Sequence, residues 1–151
     1  MFEYKTKPFE HQVRAFNFAR DKEAFALFME MGTGKTKTTI DLACDMYRAG
    51  EINAVLIIAP NGVHTQWIRE QLPLHCSTDY YGVAFKSTAS KALKNDIHKI
   101  CTEQMTDKLK FFAVNVEAFS YSTYMSIFFH FVTEHNTFVV IDEATAIKNP
   151  D

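Results

Sequence analysis

Met29-Glu30-Met31-Gly32-Thr33-Gly34-Lys35-Thr36 decides how this chain is read. It closes an apolar run, Ala24 to Met29, and opens a helical pattern. A Gly-x-Gly-Lys-Thr turn between a strand and a helix is a phosphate cradle. Its glycines let backbone N–H groups converge on an anion, and the helix start adds partial positive charge. Lys35 reaches the β- and γ-phosphates, and the Thr36 hydroxyl can ligate Mg²⁺. The usual first glycine, five residues before Gly34, is replaced by Met29. The loop alone therefore also admits an ordinary strand-to-helix glycine turn.

The residues on either side supply the scaffold. Pro8 precedes a helical pattern from about His11 to Lys22, with Val13, Phe16 and Ala19 on one face. Within it Gln12 carries a donor and an acceptor that suit an adenine edge, although read alone it is a solvated first-turn glutamine. A helix over Lys35 to Ala49 follows the loop, with Ile40, Leu42, Ala43, Met46 and Tyr47 inward. Asp41, Asp45 and Arg48 read as its surface charge. Ala54 to Ala59 is continuously apolar and stopped by Pro60, as expected of a parallel strand buried on both faces. A helix near Val63 to Leu72 comes next, with Trp67 read as core. His64, Thr65, Gln66 and Arg69 are placed to meet a phosphate backbone, because open α/β sheets bind ligands at the carboxyl ends of their strands.

Further on, a strand is expected at Tyr80 to Phe85 and a helix at Ser87 to Met105, with Ala92, Leu93, Ile97, Ile100 and Cys101 inward. Lys86, Lys91, Lys94 and Lys99 make a basic strip, read as a solvated face rather than a nucleic-acid contact. Lys110 to Val114 is a strand, and Tyr121 to His135 an aromatic-rich helix. Thr137 to Ile141 is again a buried strand, and Asp142-Glu143 follow it directly. Two carboxylates at the end of an apolar strand are costly without a cation. With the phosphate loop upstream, Asp142 would hold Mg²⁺ and Glu143 would orient and deprotonate an attacking water.

Composition narrows the alternatives. At 151 residues and 47% hydrophobic content the chain is one globular domain with a sizeable core. Fourteen phenylalanines imply aromatic layers or an interface. A net charge of −2 gives no global case for nucleic acid, so any such role rests on local features. Cys44, Cys76 and Cys101 are odd in number and widely spaced, which argues against a zinc site or disulfide framework. It favours a reducing cytoplasm, or nucleus in a eukaryote. No secretory signal or membrane-spanning run is visible.

Taken in order, Pro8 to Gln12, Met31 to Thr36, Leu56 to Glu70, Val114 to Ser120 and Val139 to Asn149 resemble the successive motifs of superfamily-two helicases. Glu30 to Thr36 and Asp142-Glu143-Ala144-Thr145-Ala146-Ile147-Lys148-Asn149 are similar to the phosphate loop and acidic box of the Swi/Snf-type ATPases. Ala59-Pro60-Asn61, with Gln66-Trp67 and Glu70, matches their next motif. Thr145 departs from the histidine or aspartate of many relatives.

The resemblance implies an α/β fold: a RecA-like P-loop sandwich of three layers with a mainly parallel sheet, powering an ATP-dependent double-stranded DNA translocase. Gln12 would read adenine. Gly32, Thr33, Gly34, Lys35 and Thr36 would hold the phosphates of ATP, Thr36 and Asp142 the Mg²⁺, and Glu143 the water. Pro60, Asn61 and Asn115 would face the DNA backbone. The family has two lobes, so residues 1–151 would be a partial amino-terminal lobe needing a second one for its arginine fingers. In this fold the strand after the acidic box lies between those ending at Met29 and Ile141. That slot would be filled by other chain, a swapped strand from a second copy, or a rearranged order. The alternatives are an RNA helicase or restriction-type translocase fragment, and a short non-catalytic lobe that binds a partner or nucleic acid.

Overall fold

The computed structural model describes residues 2–20 and 34–142. The expected strand at Ala24 to Met29, and with it Gly32, Thr33 and Glu143, lies outside the described residues. Helix α1 (Glu10–Ala19) is followed by α2 (Lys35–Arg48), β1 (Ala54–Ala59) and α3 (Val63–Gln66). A π-helical turn at Trp67–Gln71 joins α3 to α4 (Leu72–His75). After these come β2 (Tyr80–Ala84), α5 (Lys91–Thr102), β3 (Leu109–Asn115), α6 (Ser122–Glu134) and β4 (Thr137–Ile141).

The described strands form one all-parallel sheet in the order β2-β3-β1-β4. β1 lies between β3 and β4, with Ile57 opposite Ala113 on one side and Val140 on the other. Its unbroken apolar sequence follows from having both faces covered. Val55, Ile57, Ala59, Phe111 and Ala113 pack with Ile40, Cys44, Trp67 and Leu72. Residues of opposite parity, Leu56, Phe112 and Val114, pack with Ile97, Ile100, Phe128 and Phe131. Two helical layers thus flank the sheet, the arrangement of a RecA-like α/β lobe. The phenylalanines make an aromatic layer on the second face: Phe85–Phe128 centroids are 5.0 Å apart and Phe112–Phe131 5.3 Å. β4 is the last described strand on its side, with Val139 and Ile141 exposed.

Helix α2 differs from its reading. Asp41 is not surface charge: it is 1% exposed and pairs with Lys37 Nζ at 2.7 Å. The pair is buried because a second layer covers α2, in which Phe16 and Ala19 of α1 pack with Phe2 against Leu42. The Tyr4 ring lies 4.9 Å from Lys37 Nζ. Asp45 is partly buried and bonded to Arg20, which also donates to Glu51 at 2.6 Å. Helix α5 begins at Lys91 rather than Ser87, because Ser90 caps it by accepting the Leu93 N–H at 3.2 Å. Ala92 accordingly points to solvent. Cys44 and Cys76 are free thiols with sulfurs 3.5 Å apart. No described helix is long and apolar enough to cross a membrane.

His135 sets an acid limit on this fold. Its Nδ1–H donates to the Phe131 carbonyl at 2.7 Å, and its Nε2 accepts from Lys110 Nζ at 2.9 Å. Burial, reinforced by Lys110, holds its pKa below the ordinary 6.5. The unfolded chain therefore binds this proton more readily, so stability is full above pH ~6.5 and falls as pH drops through the lowered value. His75, depressed by burial with Lys37 and Lys5, acts in the same direction. The melting temperature is expected to fall from pH 7 to pH 5, and His135→Gln to flatten that slope. Equal slopes in both proteins would contradict the assignment.

Candidate nucleotide site

The described part of the site is assembled where the start of α2 meets the carboxyl end of the sheet. Gly34 precedes α2 with φ +79°, a left-handed conformation that glycine adopts without strain. A Cβ there would also collide with Gln12 Nε2. Gln12 is 4% exposed, not solvated. Its Oε1 accepts the Phe9 N–H at 2.7 Å and its Nε2 donates to the Gly34 carbonyl at 3.1 Å. The first bond fixes which way the amide faces, and the second ties α1 to the phosphate loop. Gly34→Ala combines a strained backbone with displacement of Gln12. It should cost about 1–3 kcal/mol, read as an earlier chemical-denaturation midpoint.

Lys35 opens α2, and Asp142 lies one residue beyond β4. Lys35 Nζ is 3.9 Å from Asp142 Oδ1, with side chains 30% and 9% exposed. The Asp142 N–H continues the ladder by donating to the Ile58 carbonyl at 2.8 Å. Its Oδ2 accepts the Trp67 indole N–H at 2.9 Å. Trp67 is therefore core, at 3% exposed, and also orients a carboxylate. Sequence reading missed this role. An indole donor beside an apolar strand end gives no local signal, since the two residues are 75 positions apart.

The chemistry of this set fits a nucleotide with a divalent cation. The Lys35 ammonium and the amino end of α2 complement phosphate, while the Asp142 carboxylate and Thr36 hydroxyl are hard oxygen donors. Thr36 is half-buried on the first turn of α2. Gln12, Gly34, Lys35 and Asp142 are thus brought together.

Pro60, Asn61 and Asn115 lie on the same edge of the sheet, just beyond or at the ends of β1 and β3. Asn61 is exposed, and its N–H faces the Glu117 carboxylate at 3.4 Å. His64, expected to meet a phosphate backbone, is instead 2% exposed. Its Nε2 lies 2.9 Å from the Phe85 carbonyl and its Nδ1 accepts the Gly62 N–H at 3.2 Å. Gln66 and Arg69 are exposed and Thr65 is half-buried.

A family model described as the SNF2-related domain matches residues 10–151. The chain belongs to the SNF2-related domain family. The match takes in the phosphate loop, the Gln12 helix and the Asp142 strand end together. Comparison with curated proteins gives no match. The SNF2-related domain belongs to the helicase-like, ATP-hydrolysing proteins.

Proposed function

We propose that this SNF2-related chain is the ATP-binding lobe of a DNA-dependent ATPase that translocates on duplex DNA. The observation that carries the reading is the approach of Lys35 Nζ to Asp142 Oδ1, next to the residue, Gly34, that Gln12 bonds. It sets an ammonium, a carboxylate and an amide from three elements close together, as the proposed roles of phosphate, metal and adenine binding require.

In this reading Gln12 meets the adenine edge with an amide oriented by Phe9. Gly32, Thr33, Gly34, Lys35 and Thr36 hold the phosphates. Thr36 and Asp142 hold Mg²⁺, which when bound neutralises charge on the phosphate oxygens. Trp67 keeps Asp142 turned toward the loop. Glu143 orients the water and accepts its proton. Pro60, Asn61 and Asn115 lie against the DNA backbone, giving binding that depends on salt and not on sequence. For Asn61 this means exchanging Glu117 for a phosphate.

Residues 1–151 act as a partial amino-terminal lobe, and efficient hydrolysis needs arginine fingers from a second. An arginine finger contributes ~10³–10⁵ in rate, so the isolated chain binds Mg·ATP and turns it over slowly. The test compares ATP hydrolysis by a chain extended through a second lobe in the presence of duplex DNA, single-stranded DNA and RNA. Strongest stimulation by duplex DNA is expected. Strongest stimulation by RNA would replace this reading with that of an RNA helicase. Binding of nucleic acid without any ATP turnover would leave a non-catalytic module.

A further inference from the structure

Lys110 stands at the opposite end of the sheet from the nucleotide site. It is the second residue of β3, whereas Asp142 follows the last residue of β4, so a strand length of roughly 17 Å separates the two ends. Its residue surface is 2% exposed. The ammonium donates to the Glu103 carbonyl and to His135 Nε2. Both acceptors are neutral: burial and the neighbouring Lys110 keep His135 uncharged, and the Nδ1–H bond to the Phe131 carbonyl leaves Nε2 as the acceptor. Among the described residues no carboxylate lies within ion-pair distance of Lys110, and the Glu103 side chain is exposed. A buried ammonium whose only carboxylate influence is the more distant Glu103 is unfavourable: burial lowers the Lys110 pKa, and a bound anion would hold it charged.

Beside Lys110 lies a cavity of about 530 Å³. Its described lining includes Lys110, His135, Arg48, Asn53, Asn136 and Gln104, and no Asp or Glu. Asn53 Oδ1 already accepts the Asn136 N–H at 2.8 Å, so the amide nitrogen is what Asn53 has to offer a ligand. Arg48 is anchored by a 2.7 Å bond to the Ser77 carbonyl. The cavity therefore sets a buried ammonium beside amide donors in a protein whose net charge is −2.

We propose that this cavity binds a small oxyanion, a phosphate group or a small carboxylate, at a site separate from the nucleotide. Lys110 supplies the compensating charge, with its third N–H left for the anion. The amides of Asn53, Asn136 and Gln104 supply the surrounding donors, the Arg48 guanidinium being held at the Ser77 carbonyl and the Phe2 ring. The volume suits a compact anion and its waters rather than a polymer backbone.

The test is thermal unfolding of the chain in phosphate, and separately in citrate, against chloride at equal ionic strength. Lys35→Ala and Lys110→Met are run beside the wild type. At least one anion should raise the melting temperature saturably, by about 5–10 °C at a hundred times its dissociation constant. The general effect of excluded salts does not saturate in this way. Which anion acts tells the phosphate source from the carboxylate source. The rise should persist in Lys35→Ala and vanish in Lys110→Met. Should Lys110→Met fail to fold, amide chemical shifts of the wild type give the same answer. The anion must then move the signals of Asn53, Thr106 and Asn136. No saturable rise with either anion would overturn the proposal. So would a rise that Lys35→Ala removes and Lys110→Met keeps, or shifts confined to Gly34, Lys35 and Thr36.

Discussion

Lys37→Ala should lower the melting temperature by about 6–20 °C. The change removes the cation paired with a carboxylate that is almost wholly inside the protein. Asp41 is 1% exposed, its Oδ2 accepts from Lys37 Nζ at 2.7 Å, and its Oδ1 is buried with no hydrogen-bond partner among the described residues. Burial already pushes the Asp41 pKa up, and Lys37 is what opposes that rise. Breaking a buried pair from one side costs about 3–5 kcal/mol, because the surviving charge stays desolvated. For a chain of this length each kcal/mol is worth ~2–4 °C. The double change Lys37→Met with Asp41→Leu removes both charges and restores apolar volume, so it should recover most or all of the loss. A single-variant shift below ~2 °C in calorimetric unfolding would show that water reaches the pair.

Lys35→Ala should leave the fold intact and remove most nucleotide affinity. Its side chain is 30% exposed, so no buried cavity is created, and the Asp142 carboxylate keeps its bond from Trp67. What disappears is the ammonium proposed to face the phosphates. Truncating one member of a hydrogen-bonded charge pair costs about 2–5 kcal/mol, or ~30- to ~4,000-fold in affinity. Competition against a fluorescent ATP analogue reads this directly. Lys35→Arg should recover only part of the loss, because a planar fork does not replace a compact ammonium at the end of a tight loop. An unchanged affinity in Lys35→Ala would place the phosphates elsewhere.

The strands were the most legible part of the chain. Ala54–Ala59 and Thr137–Ile141 take the expected bounds, because each is a continuous apolar run stopped by an unmistakable residue, Pro60 or Asp142. Helix ends were less so. Ser87 to Ser90 belongs to the approach to α5, and only the Ser90 hydroxyl on the Leu93 N–H shows where the helix starts. The helix expected to end at Leu72 continues to His75 through a π turn at Trp67–Gln71. Pro73 supplies no N–H to the ladder, and an extra residue in the preceding turn accommodates its ring.

The hidden features are those set by packing between distant segments. Asp41 reads as surface charge until α1, Phe2 and Tyr4 are laid over its pair with Lys37. His64 looks like a phosphate ligand until the Phe85 carbonyl is brought to it. In the site, Lys35 and Asp142 were legible as residue types at motif spacing. The Trp67–Asp142 and Gln12–Gly34 bonds that orient them join partners 75 and 22 positions apart, with no local pattern to announce them.

The most direct test of the nucleotide site is a calorimetric titration of ATP into the chain, with and without Mg²⁺, for wild type, Lys35→Ala and Asp142→Asn. The wild type should show saturable one-to-one binding that Mg²⁺ strengthens. Lys35→Ala should lose most of that affinity. Asp142→Asn, which keeps an acceptor for the Trp67 indole but gives up the charge, should bind ATP with little further gain from Mg²⁺. Heats that are equal in all three proteins, or affinity that ignores Mg²⁺ in the wild type, would contradict a Mg·ATP site built on Lys35 and Asp142.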